Sequence, residues 1–103
     1  MKFNYMSHDG KILTSVTVNN ITKKVKIQNY TDDITDRAFG IKTKVDYDDV
    51  ICFFEHRCIP KERSDIQDIL ELMNLTKYDP YVICKFNKGT SAQDSNWIDF
   101  IKE

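Results

Sequence analysis

The sequence predicts an α+β domain in which an N-terminal three-stranded antiparallel meander packs on three helices, closed by a short C-terminal segment containing tryptophan. Two observations carry this. The hydrophobic period is two up to residue 28 and becomes helical from Asp46. The charge changes sign between the same regions. Residues 1–45 hold eight basic side chains against four acids, a balance of +4, and residues 46–103 hold seven against twelve, a balance of −5.

At 103 residues, 41% hydrophobic and net charge −1, the chain reads as one domain, with the meander over 1–28, a connection over 29–45 and the helices and tail over 46–103. A chain of this length buries roughly 60–65% of its unfolded surface, which suffices for one core but not for a core plus a large ligand cavity. No apolar run approaches the roughly 20 residues that span a bilayer, and Met1-Lys2-Phe3-Asn4-Tyr5 leads into no signal-peptide core. The expected location is therefore the cytoplasm, with no membrane partner. Cys52, Cys58 and Cys84 are read as reduced thiols, because an odd number without an export signal does not make a disulfide framework.

Phe3, Tyr5 and Met6 form the first strand, ended by His8-Asp9-Gly10, whose Asp-Gly pair suits a tight hairpin. In the second strand Ile12, Thr14, Val16 and Val18 are expected to share the buried face, opposite Leu13, Ser15 and Thr17. After a turn at Asn19-Asn20, Ile21, Val25 and Ile27 are expected on one face of a third strand. Residues 29–45 lack a period and read as a long connection. Asp46 is then an N-cap with Asp49 three residues on, and Val50, Phe53, Phe54 and Arg57 fall at helical spacing. Pro60 ends this helix and opens the next at Pro60 or Lys61, with Ile66, Ile69, Leu70 and Met73 facing inward and Asn74 as a left-handed stop. Asp79-Pro80 starts a third helix through Tyr81, Ile83, Cys84 and Phe86 that closes at Gly89. Asp94 to Ile101 folds back as a strand or turn, its Trp97 indole covering the core.

Few constellations carry chemistry. Cys52, His56 and Cys58 could contribute to a metal site, but with Cys84 as the remaining thiol the close-paired spacing of a zinc centre is missing, and ordinary buried thiols are the better reading. Asp32, Asp33 and Asp36 read as loop aspartates bonded to their own backbone and not as a cation site. No phosphate loop, nucleophile elbow or metalloprotease helix occurs, so neither catalysis nor a cofactor is expected. As a DNA-reading helix, 61–73 would meet phosphates with Lys61 and Arg63 outnumbered by Glu62, Asp65, Asp68 and Glu71. Lys24 and Lys26 on the sheet are the better electrostatic surface. Arg57 and Arg63 flank a helix break, and Asp94 precedes Trp97 by three. Such a set is either a buried clamp pinning the tail to the helix corner or a partner-facing hot spot, and both readings stay open.

The order Arg57, Ile59-Pro60, Arg63, a leucine-bearing helix, then Gly89, Asp94 and Trp97-Ile98 resembles the N-terminal region of HipA-like kinases of low-GC Gram-positive bacteria. It is similar also to small stand-alone proteins of phages and mobile elements. The likeness covers residues 52–101, with Asn74 in place of the family's helix-ending glycine and Thr90-Ser91-Ala92 in place of Leu-Ser-Leu. In that family the catalytic and nucleotide-binding residues lie beyond this segment. The resemblance therefore implies a non-enzymatic protein-binding regulator, an antitoxin-like partner of a HipA-type kinase. The alternatives are an inhibitor of a host defence nuclease and a nucleic-acid-binding regulator. Lys24, Lys26, Arg57, Arg63, Asp94 and Trp97 are the candidate partner-binding residues.

Overall fold

The computed structural model describes residues 1–90 and 94–101. Ser91 and Ala92, named above in the Thr90-Ser91-Ala92 departure, lie outside that range. Four strands and three helices follow in the order β1 (Lys2–Met6), β2 (Ile12–Val18), β3 (Val25–Asn29), α1 (Tyr47–Arg57), α2 (Ile66–Leu72), α3 (Pro80–Asn87) and β4 (Trp97–Phe100). The α+β class is as the sequence predicts. The meander gains a fourth member, because the tail enters as β4 beside β1 and gives a fully antiparallel sheet ordered β3-β2-β1-β4.

The sheet register explains how its two faces divide. Phe100, Phe3, Val16 and Ile27 form one cross-strand row, and Ile98, Tyr5, Thr14 and Asn29 the next. These point toward the helices and share a core with Val50, Phe53, Phe54 and Cys84. The aromatic side chains meet at ring separations of 5.0 Å for Phe3–Phe54 and 5.4 Å for the edge-on Tyr5–Phe53 pair. The opposite face carries Lys2, Thr17 and Lys26 in one row and Asp99, Asn4, Ser15 and Gln28 in another.

In β2 the expected alternation fails at one end. Ile12 is exposed while Leu13 is buried, because Tyr5 pairs with Thr14 and Met6 with Ile12, leaving Leu13 as the extra residue of a bulge. Ile21, expected in a strand, sits 92% exposed in the β2–β3 turn. There Asn19 Oδ1 accepts from the amides of Ile21 and Thr22, and Lys23 adopts φ 61°, so the chain turns where a strand was expected to begin.

α1 follows its sequence signals closely. Asp46 caps Asp49, the Asp49 carboxylate returns to the Asp46 amide, and Val50, Phe53, Phe54 and Arg57 are all buried. α2 is shorter than expected and starts at Ile66 instead of Pro60 or Lys61. Residues 61–65 contain no apolar side chain to bury, and the Asp65 carboxylate is taken by Arg63 Nε at 2.6 Å instead of capping the helix. Of the four residues expected to face inward, Leu70 alone is fully buried. The helix ends as expected on a left-handed Asn74 (φ 59°), with Leu75 N–H bonding Leu70 O at 2.8 Å. In α3 the Asp79 carboxylate accepts from Tyr81 N–H ahead of Pro80, Ile83 and Cys84 are buried, and Phe86 is exposed.

Candidate functional site

Two regions gather the residues singled out by the sequence. The first is built around Arg57, the buried charged side chain among the described residues. Being last in α1, it is aimed at the junction of the sheet with the end of α3, and all five of its N–H groups find acceptors. Nε donates to Gly89 O at 2.6 Å. Nη1 donates to Tyr5 Oη at 3.3 Å and Asp94 Oδ2 at 3.1 Å, and Nη2 to Asp94 Oδ1 and Asn96 O, both at 2.8 Å. The guanidinium also lies over the Tyr5 ring, 5.0 Å from its centre.

Burial opposes the charge on Arg57, but its hydrogen bonds to Asp94 and its proximity to Tyr5 and Asp94 outweigh this and hold the group above its ordinary value. In return, the Arg57 hydrogen bonds hold the Asp94 carboxyl below the usual carboxylate range. With every donor used within the chain, Arg57 has none left for a partner. Arg63 stands apart from this cluster, exposed and paired with Asp65. The Trp97 indole is not in the core as expected. It is half-buried, on the strand face opposite Ile98, with Nε1–H donating to Ser7 O at 3.1 Å, and Ile98 and Phe100 are the tail residues that close the core.

Cys52 is exposed, Cys58 half-buried and Cys84 buried, and all are free thiols. Cys58 Sγ lies 2.7 Å from Tyr78 Oη, whose hydroxyl bonds Ile59 O at 2.8 Å. Burial pushes the Cys58 thiol up despite the Tyr78 hydrogen bond, and burial and Cys58 push the Tyr78 phenol up as well. Neither group is primed for nucleophilic work at neutral pH. No group of three or more metal-ligating side chains occurs among the described residues.

The second region is the helix-free face of the sheet. Lys2 and Lys26 flank Thr17 across three strands and are exposed, as is Lys24 at the approach to β3. None of the three has an ion-pair partner among the described residues. Thr17, Asn19, Thr22, Lys24 and Lys26 line a shallow hollow of about 330 Å³. The main-chain hydrogen bonds set what the strand presents at its outer edge. Lys24 O accepts from Asn19 N–H and Tyr30 N–H bonds Leu13 O, so the even-numbered residues of β3 pair with β2. The N–H and C=O groups of Val25, Ile27 and Asn29 therefore face away from the sheet, and no partner for them occurs among the described residues. The other edge is partly occupied, since Ile98 N–H bonds Lys88 O at 2.6 Å. Sequence reasoning singled out Lys24 and Lys26 but missed this open edge. The signal available was the short strand VKIQN between two turns, last in the meander, which leaves it one neighbour.

Compared with protein families, curated proteins and solved structures, the chain matches none of them.

Proposed function

We propose that this chain is a protein-binding regulator that places the lysine-bearing, helix-free face of its sheet against an acidic surface of another protein. Exposed Lys2 and Lys26 on either side of Thr17, with Lys24 beside them and none of the three ion-paired among the described residues, support this reading. A protein partner fits this face better than nucleic acid. The adjoining row carries Asn4, Ser15, Gln28 and the acid Asp99, where sheets that bind single strands present aromatic platforms for the bases, and Trp97, an aromatic on this face, is half-buried with its N–H tied to Ser7 O.

A HipA-type kinase is the first partner to test, on the strength of the sequence resemblance over residues 52–101, and a defence nuclease is the second. The experiment titrates the full chain against each candidate, beside the Lys24→Glu/Lys26→Glu double variant. The expected result is binding by the wild type that the double variant loses, with unfolding midpoints unchanged because both side chains are exposed. Binding indifferent to the charge reversal would overturn the proposal. So would a preference for duplex or single-stranded nucleic acid with a steep salt dependence.

A further inference from the structure

Resting on that reading, we infer that the partner contributes an extended acidic segment that adds to β3 as a fifth strand. The argument joins three observations on one strip of surface. First, the outward N–H and C=O groups of Val25, Ile27 and Asn29 offer hydrogen bonds in the spacing a neighbouring strand requires. Second, the side chains along this edge alternate in character. Lys24, Lys26 and Gln28 are exposed, whereas Val25 and Ile27 are half-buried and pack toward the core. An added strand continues both faces of the sheet, so the segment it selects alternates acidic with apolar residues. Its acids lie beside the lysines, and its apolar side chains beside Val25 and Ile27. Third, the hollow between Thr17, Thr22, Lys24 and Lys26 lies next to that edge and offers hydroxyls as well as cations to a carboxylate.

The same lysines argue against a second copy of this chain as the occupant. Edge lysines repel an identical edge, which is how sheets avoid pairing with themselves. An acidic strand converts that repulsion into attraction.

The test uses the full chain and a short blocked peptide alternating glutamate with valine, with the lysine–valine peptide as counterpart. The glutamate peptide is expected to bind, with affinity falling as salt rises, and to slow hydrogen exchange at the amides of Val25, Ile27 and Asn29. Ile27→Pro removes one outward N–H while leaving the β2 ladder intact, and Ile27→Ala removes the same side-chain contacts while keeping that N–H. The proline variant is expected to bind about tenfold more weakly than the alanine variant, the worth of one main-chain hydrogen bond. Should the proline variant fail to fold, exchange protection in the wild type decides the question alone.

Equal binding by the two variants, protection at other amides, or no binding of the glutamate peptide would each overturn strand addition. The wider proposal is judged separately by the lysine reversal. A concentration-dependent dimer that protects these same three amides would overturn the inference in favour of self-association.

Discussion

Arg57 and Asp94, thirty-seven residues apart, meet in a two-pronged ion pair with N···O distances of 3.1 and 2.8 Å, the guanidinium 7% exposed and the carboxylate 39%. The pair closes the corner where α1 ends, α3 ends and β4 begins. The guanidinium additionally binds the main-chain oxygens of Gly89 and Asn96 and the Tyr5 hydroxyl, so one side chain ties the ends of α1 and α3 to β1 and to the entry of the edge strand β4. Its planar fork matters here more than its charge. A lysine at this position has three donors on a single nitrogen and cannot address five directions.

Removing the guanidinium is therefore expected to cost more than any surface charge. Arg57→Ala would strip Asp94 of its ion pair, leaving it the Asn96 amide at 3.0 Å, and would take the guanidinium from the Gly89 and Asn96 carbonyl oxygens, at a cost of about 2 to 4 kcal/mol, since the carboxylate is partly open to water. Arg57→Lys is expected to recover only a minor part of this. Urea unfolding at neutral pH measures both, and a lysine variant as stable as the wild type would refute the account.

The same pair gives the fold an acid sensitivity of definite sign. Hydrogen bonds from Arg57 hold the Asp94 carboxyl below its ordinary value of 3.8, so its folded value is lower than its unfolded one. The stabilisation is then complete above the unfolded value and is lost as pH falls through the folded value. Asp94→Asn keeps the shape without the charge. The stability gap between wild type and Asp94→Asn is expected to be constant from pH 5 to 7 and to close below pH 4, as read from denaturant midpoints across that range.

Gly89 supplies an acceptor to Arg57 and is confined from two sides. Its φ of +64° disfavours any side chain, and a Cβ built on it would lie 2.4 Å from Ile98 Cδ1. Gly89→Ala is expected to cost about 2 to 4 kcal/mol, combining left-handed strain with a core clash. Because the clash involves Ile98, the loss should be smaller when measured in an Ile98→Ala background, and a double-mutant cycle reads that coupling.

How much of this was legible depends on the range of the signal. α1 was legible in full, because its cap, its acids and its buried face are all local, and Val50, Phe53, Phe54 and Arg57 landed inward together. The hairpin at Asp9-Gly10 and the stop at Asn74 were likewise local. What the sequence withheld was set by partners distant along the chain. The bulge at Leu13 follows from pairing with β1, and β4 owes its place to Phe3 and Tyr5 more than ninety residues away. The sequence offered Arg57, Arg63, Asp94 and Trp97 as one set, of which the structure joins Arg57 and Asp94, while the Gly89 and Asn96 carbonyls and Tyr5 joined them only through the sheet topology. The open edge of β3 was illegible for the same reason, since an edge is defined by the strand that is absent.

Trp97 was expected to cover the core and instead lies half-buried with a hydrogen bond to Ser7 O. Trp97→Ala is accordingly expected to cost about 1 to 3 kcal/mol, less than the 3 to 5 of a fully buried aromatic such as Phe54. Trp97→Phe, which keeps much of the ring area and loses the N–H donor, is expected to cost about 1 kcal/mol. Equal losses for Trp97→Ala and Phe54→Ala in thermal or urea unfolding would place the indole in the core after all.

The three thiols should report on opening of the core in a graded order. Cys52 is exposed on α1. Cys58 is half-buried against Tyr78, and burial pushes its thiol up. Cys84 is buried with its Sγ 3.3 Å from Phe54 O, and burial pushes its thiol up to about 12. The thiolate attacks a thiol reagent, so for Cys58 and Cys84 burial slows the reaction both by covering the sulfur and by disfavouring its ionised form. Under native conditions Cys52 is expected to be labelled first and Cys58 more slowly. Cys84 should react only as fast as the structure opens, at a rate that rises in Arg57→Ala in proportion to its lost stability. Rapid labelling of Cys84 in the stable wild type would mean that the packing between α1 and α3 is breached without global unfolding.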